Sequence, residues 1–237
     1  MTARRITNIA ASVRQRLLDM ARASNRPFNE LLQHYAMERF LYRLSKSEYA
    51  ERFILKGALL LRVWQAPSVR PTMDIDLLGR TSNAPESLEA IVRSVCQQAV
   101  EEDGLHFDPE SVSGEVIAEE AGYAGVRLRF RGKLGTARVA MQIDVGFGDV
   151  ITPEPLLVDF PTLLSFPGPK LLAYPRETVV AEKFEVMLRR GMLNSRLRDY
   201  YDIWLLSRSF AFTGLLLAEA VRKTCMHRNT PIVERPL

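Results

Sequence analysis

Apolar residues recur at helical spacing near the start of the chain. Ile9, Val13, Leu17 and Met20 fall on one side of a helical wheel, with Arg14, Arg16 and Asp19 elsewhere. The pattern breaks at "SNRPF" and resumes in "NELLQHYAMERFLYRLSKS", which predicts a second amphipathic helix to about residue 45. The two together form a helical hairpin. "FILKGALLLRVW" reads as a short strand at "FIL", a turn at Gly57 and a helix to about Trp64. Arg70 to Leu78 reads as the next strand. "PESLEAIVRSVCQQAVEE" predicts a helix with Pro85 and Glu86 in its first turn, where a missing N–H and a negative charge are both favourable. "GLHFDPESVSG" reads as a polar connection.

The strongest strand signal follows. Val126, Leu128 and Phe130 alternate with Arg127, Arg129 and Arg131; Val139, Met141, Ile143 and Val145 alternate with Ala140, Gln142 and Asp144. Gly132 and Gly135 mark the connection. Past Pro153 the chain reads as a proline-rich loop region. It ends in helices at "RETVVAEKFEVMLRRG", "SRLRDYYDIWLLSRS" and near 213–226. There is no internal repeat. The order predicts an α+β (mixed α/β) fold, with a small mixed sheet between helical flanks. We expect a helical hairpin over residues 1–50, a core over 51–150 and a helical lobe over 151–237.

Composition narrows the class. With 237 residues, 47% hydrophobic and 25% charged, the chain is an ordinary globular protein with enough length for a genuine core. No apolar run reaches the roughly 18 residues of a membrane span. The N-terminus has no apolar h-region, so no signal peptide is expected. Two distant cysteines, Cys96 and Cys225, argue against a disulfide framework and for a reducing cytoplasm. The net charge of +4 permits a polyanionic partner without requiring one. Basic residues gather at the N-terminus (Arg4, Arg5, Arg14, Arg16, Arg22), in 127–138 and in 183–198.

Chemistry enters at "RPTMDIDLLG". Residues two apart on a strand share a face, so Asp74 and Asp76 converge while Ile75 and Leu77 face the other way. Two like charges on a half-buried face need a cation, and Mg²⁺ is typically held by one or two carboxylates plus substrate phosphates. Asp144, on the Gln142 face of its strand, supplies a third carboxylate. Three such groups suit two-metal phosphoryl or nucleotidyl transfer. A bare D-x-D is more often a solvated strand end. Gly57 opening a helix some 17 residues earlier tips the balance, because helix-start N–H groups favour a phosphate.

"FILKGALLLRVW…RPTMDIDLLG" resembles the first motif of the AbiEii/AbiGii-type toxin nucleotidyltransferases of the DNA-polymerase-β-like superfamily. The resemblance continues at "MQIDVGFGD" and through "RETVVAEKFEVMLRRGMLNSRLRDYYDIWLLS", and spans about residues 8–230. It implies a polymerase-β-like core. Asp74 and Asp76 would bind Mg²⁺ or Mn²⁺, Asp144 would join them and help activate the attacking hydroxyl, Lys183 would contact nucleotide phosphates, and Asp199 would be the fourth-motif acid. Lys56, Gly57, Ala58, Lys183 and Asp202 are the expected NTP-binding set. Gly57-Ala58 departs from the usual Gly-Ser or Gly-Gly, which leaves phosphate contacts to backbone donors and Lys56. The resemblance also implies further helix beyond Leu237.

On spacing alone, Lys183 pairs with Glu182 or Glu185, and the resemblance reverses that reading. Arg189 and Arg190 read as dipole-favoured charges at a helix end, or as contacts to a triphosphate or RNA backbone. Arg127, Arg129 and Arg131 read as a solvated sheet face, or as a basic wall for a nucleic-acid backbone on the Asp144 face. Tyr200, Tyr201 and Trp204 read as helix packing. Three isolated histidines and the lack of P-loop or dinucleotide motifs exclude zinc, triad and Rossmann chemistry. By resemblance the expected function is NMP transfer from an NTP to a tRNA 3′ end, with an AbiEi-like antitoxin as partner and no membrane association. The alternatives are a protein hydroxyl acceptor, or a member that binds nucleotide or RNA without catalysis and acts through a partner.

Overall fold

The alternation over 126–145 builds the middle of a seven-stranded mixed sheet. The computed structural model describes residues 8–67, 71–118 and 124–232. Arg4, Arg5 and Arg70 lie outside the described residues. The strands are β1 (Phe53–Lys56), β2 (Ile75–Gly79), β3 (Leu105–Ala118), β4 (Ala124–Leu134), β5 (Ala137–Phe147), β6 (Leu156–Asp159) and β7 (Lys170–Ala173). Their order is β3-β4-β5-β2-β1-β7-β6. β2 runs parallel to β5 and β1 parallel to β7; the other neighbours are antiparallel.

Two expectations are corrected. Residues 104–114, read as a polar connection, lie almost wholly in the long edge strand β3, which runs on to Ala118. Its apolar residues Leu105, Phe107 and Val112 do reach the core, but the register shifts between Asp108 and Ser113 around Pro109 and breaks the alternation. The proline-rich region likewise contains β6 and β7. Each is only four residues long, and β7 lies against β1, so the sheet continues past residue 150.

The helices are α1 (Ile9–Ser24), α2 (Phe28–Lys46), α3 (Leu60–Val63), α4 (Pro85–Cys96), α5 (Arg176–Arg190), α6 (Leu197–Ser209) and α7 (Gly214–His227). α1 begins where Asn8 caps it, its side chain accepting from the Ala11 N–H at 2.9 Å. α2 is buried on all sides from Leu31 to Leu44, although its sequence reads as amphipathic. One side packs on the sheet, where Phe40 meets Phe107 and Phe130 at ring separations of 5.7 and 5.1 Å. The opposite side lies under α1 and the 160–167 segment. There Glu38 accepts from the Leu163 N–H at 2.7 Å and Arg39 donates to the Pro167 carbonyl at 2.7 Å. Arg43 and Asp103 form a buried two-bond pair at 2.7 and 3.0 Å. Glu38, Arg39 and Arg43 thus each keep a partner that offsets lost hydration.

The core face of the sheet carries Ile75, Leu77, Leu128, Phe130, Met141, Ile143 and Val145, all buried. Burial of each large apolar side chain is worth roughly 1.5–3 kcal/mol, enough to fix the strand registers. Fixed register determines what the opposite face presents. No helix among the described residues is long and apolar enough to cross a membrane.

Candidate active site

Five strands place one charged residue each in a single row across the sheet. Lys56 on β1 pairs in register with Asp76 on β2, Asp76 with Asp144 on β5, Asp144 with Arg127 on β4, and Arg127 with Glu115 on β3. Residues directly opposite on neighbouring strands share a face, with Cβ atoms roughly 4.5–5.5 Å apart. The row reads positive, negative, negative, positive, negative. Its centre is the one place where two like charges adjoin, and Asp74 joins them from the residues leading into β2. One carboxylate oxygen from each of Asp74, Asp76 and Asp144 lies within 4.8 Å of the others.

The electrostatics follow from that crowding. Burial, with Asp74 and Asp144 close by, pushes the Asp76 carboxyl up to about 6 against the opposing pull of Lys56 and Lys183. Asp74 accepts from the Thr72 hydroxyl. Arg127 grips Asp144 with two bonds, Nε to Oδ1 at 2.8 Å and Nη2 to Oδ2 at 2.7 Å, and Gln142 Nε2 adds a third to Oδ1 at 3.2 Å. A set of hard oxygen donors under mutual repulsion fits a divalent cation of the Mg²⁺ or Mn²⁺ type.

Gly57 abuts this row. Its backbone is left-handed (φ +72°), and a β-carbon there would overlap Asp76 Oδ2. The residue therefore serves both the turn and the space Asp76 occupies. Downstream, the expected helix to Trp64 is a 3₁₀ turn (Gly57–Leu59) followed by the four residues of α3. Ala58 is buried. One turn supplies a few backbone N–H donors rather than a long helix dipole.

Lys183 lies on α5 between two acids of α6, 2.7 Å from Asp199 and 2.9 Å from Asp202. Both aspartates are buried, and Arg196 also approaches Asp199 at 3.3 Å. The spacing-based pairing of Lys183 with Glu182 or Glu185 is replaced by this contact between helices. Glu182 and Glu185 turn instead to Arg228, at 3.2 and 3.0 Å. Arg228 also donates to Asp149 at 2.8 Å, and Asp149 in turn holds Lys56 at 2.6 Å. Burial alone would raise the Asp149 carboxyl, but Lys56 and Arg228 hold it well below the usual range. Burial and the nearby Asp149 raise Glu182.

Sequence reasoning missed this network. Asp149 stands in the quoted "MQIDVGFGD" and Glu182 beside Lys183, yet Arg228 follows the last helix and carries no periodic signal. Three other expectations change in detail. Arg127, Arg129 and Arg131 do share the Asp144 face, but each has a carboxylate partner: Asp144, Glu115 at 2.6 Å and Asp108 at 3.3 Å. Arg189, near the end of α5, turns back to Glu185 at 2.9 Å; Arg190 is the last residue of that helix. Tyr200, Tyr201 and Trp204 do not pack inside: they are 40%, 38% and 57% exposed on the outer face of α6.

Comparison with solved structures identifies the fold. JHP933 from Helicobacter pylori is similar at a TM-score of 0.53 and 13% identity, over 83% of this chain and 78% of that one. A second H. pylori structure gives 0.52 at 13% identity, over 83% and 76%. An antigenic nucleotidyltransferase-like protein from Paracoccidioides brasiliensis gives 0.46 at 12% identity, over 81% and 88%. No curated protein matches the sequence. The sequence model of the nucleotidyl transferase AbiEii toxins, of type IV toxin–antitoxin systems, matches residues 39–237, which include every strand and the whole carboxylate row. The chain belongs to the AbiEii nucleotidyltransferase toxin family.

Proposed function

We propose that this nucleotidyltransferase moves an NMP group from an NTP to the 3′ end of a tRNA, blocking translation, and that an AbiEi-like antitoxin restrains it. The observation that carries the reading is the crowded Asp74, Asp76 and Asp144 set, flanked in register by Lys56 and Arg127. Asp74, Asp76 and Asp144 would hold Mg²⁺ or Mn²⁺, which when bound supplies charge neutralisation at the reacting phosphate.

In the reaction the acceptor oxygen forms a bond to the α-phosphorus, and the bond from that phosphorus to the bridging oxygen breaks. Pyrophosphate leaves with the electron pair. Asp144 is the proposed acceptor of the hydroxyl proton, at the solvent face of β5. Backbone donors at Gly57 and Ala58, with the Lys56 and Lys183 ammonium groups, would bind the triphosphate. Asp199 and Asp202 orient Lys183 from α6. The basic surface at Arg129, Arg131, Arg189 and Arg190 is the proposed path of the acceptor backbone, and the carboxylates paired with it would exchange partners when phosphates arrive.

The test is incubation with Mg²⁺, each labelled NTP in turn and total RNA, beside the Asp74→Ala/Asp76→Ala double variant. Label on tRNA with the intact chain alone supports the proposal. Label on protein alone would overturn the RNA acceptor, and no transfer with any NTP would overturn the catalytic reading.

A further inference from the structure

Arg127 stands midway between two carboxylates on one face of the sheet. Asp144 is its register partner on β5 and Glu115 its register partner on β3. It is bound to Asp144 through both oxygens, while Glu115 is half exposed and bonded to Arg129. A carboxylate offers roughly four acceptor directions. Arg127 and Gln142 together fill three of those on Asp144. A divalent ion sharing Asp144 with Asp74 and Asp76 would need the same oxygens. Cation and guanidinium therefore compete for one carboxylate.

We infer that Arg127 is a resident counter-ion of the active site, which swings from Asp144 to Glu115 as a divalent cation binds. In this arrangement β4 carries a two-position switch. With Arg127 on Asp144, the third carboxylate is neutralised and three of its four acceptor directions are taken. With Arg127 on Glu115, Asp144 is open to the cation and to the acceptor hydroxyl. Glu115 is fit to receive it because it lies directly across the strand pair. Its present partner, Arg129, is 52% exposed and can return to water at little cost. Arg127 is thus a positioning residue. The inference rests on the reading of Asp74, Asp76 and Asp144 as cation ligands.

The test is Mn²⁺ binding to the full chain without nucleotide, followed by electron paramagnetic resonance and calorimetry at fixed ionic strength. Arg127→Gln should bind Mn²⁺ about tenfold more tightly than the parent, as expected when one partly buried two-bond ion pair no longer competes. Arg131→Gln makes the same charge change on the same face but touches neither Asp144 nor Glu115, since its partner is Asp108, and should shift affinity less than about twofold. Glu115→Gln should weaken Mn²⁺ binding by removing the receiving site, but should have no effect in an Arg127→Gln background. Arg127→Lys keeps the charge and loses the two-bond grip, so it should fall between parent and Arg127→Gln; it guards against misfolding of the latter. Equal affinities for Arg127→Gln and Arg131→Gln would overturn the switch while leaving the cation site intact. Absence of Mn²⁺ binding by parent and every variant would overturn the cation site and the switch with it.

Discussion

Gly57 and Asp76 occupy one another's space: the carboxylate of Asp76 fills the volume in which any other residue at 57 would carry its β-carbon. Gly57→Ala should cost about 1–3 kcal/mol from the left-handed backbone alone. Displacement of Asp76 should also cut nucleotidyl transfer by about 100-fold. Gly191 gives the control, since it too has a positive φ but nothing within 4 Å of its added β-carbon. Gly191→Ala should lower the melting temperature and leave transfer intact. Thermal unfolding and a labelled-NTP assay on both variants check the pair.

The crowding at Asp76 makes stability depend on pH and on the cation. Its carboxyl rises from an ordinary 3.8 to about 6 in the folded chain, so the folded state keeps this proton to higher pH than the unfolded state. With EDTA present, the stability of the parent relative to Asp76→Asn should therefore fall as pH rises from about 4 to about 6, by roughly 3 kcal/mol in total. Saturating Mg²⁺ should abolish that relative fall. Asp76→Asn is expected to be inactive yet more stable than the parent at neutral pH without metal. Chemical denaturation across this range, with and without Mg²⁺, is the measurement.

His34 works in the opposite direction. It is buried in α2, and neither ring nitrogen has a hydrogen-bond partner among the described residues. Burial, with Arg62 and Arg26 nearby, lowers it from 6.5 to about 3. The unfolded chain thus takes up a proton that the folded chain refuses, and stability is lost as pH falls from 6.5 towards 3, by at most about 1.4 kcal/mol per pH unit. His34→Leu should flatten that slope. Denaturant titration of the parent beside His34→Leu at each pH isolates it, because every other titrating group is common to both.

Arg228 holds three acids at once, Asp149, Glu182 and Glu185, and its side chain is 9% exposed. Its removal leaves buried negative charge uncompensated. Arg228→Met should cost about 3–5 kcal/mol. Arg228→Lys should recover only part, because one ammonium cannot span partners that a guanidinium reaches with two nitrogens. Equilibrium unfolding in urea distinguishes the two variants.

Trp204→Ala should change stability by less than about 0.5 kcal/mol, because its indole is largely solvent-facing. A core tryptophan would cost about 3–5 kcal/mol. A large loss on unfolding in guanidinium would return Trp204 to the core.

What could be read from the sequence depended on how local the cause was. The strand expected over 70–78 begins only at Ile75: alternation accounts for the face of Asp76, whereas Asp74 reaches the same place from the segment leading into β2. That Asp144 lies beside Asp76 required the β2–β5 pairing, which the apolar faces of both strands determine but do not announce. β3 escaped detection because Pro109 and a register shift interrupt its alternation, and β6 and β7 because four residues are too few for a period to emerge. α2 looked amphipathic because it carries Glu38, Arg39 and Arg43; their partners lie 60 to 128 residues away and are invisible to a helical wheel. Trp204 looked like a core residue on size and hydrophobicity alone, neither of which specifies a helix's outward face.

The Asp149–Lys56–Arg228 chain of contacts also has a consequence in time. Lys56 is made first, Asp149 next and Arg228 after both. A ribosome synthesising this chain therefore releases the whole carboxylate row before the residue that balances its neighbouring charges exists. The charge network beside the site closes only once the turn after α7 has emerged and Arg228 has reached Glu182 and Glu185 on α5.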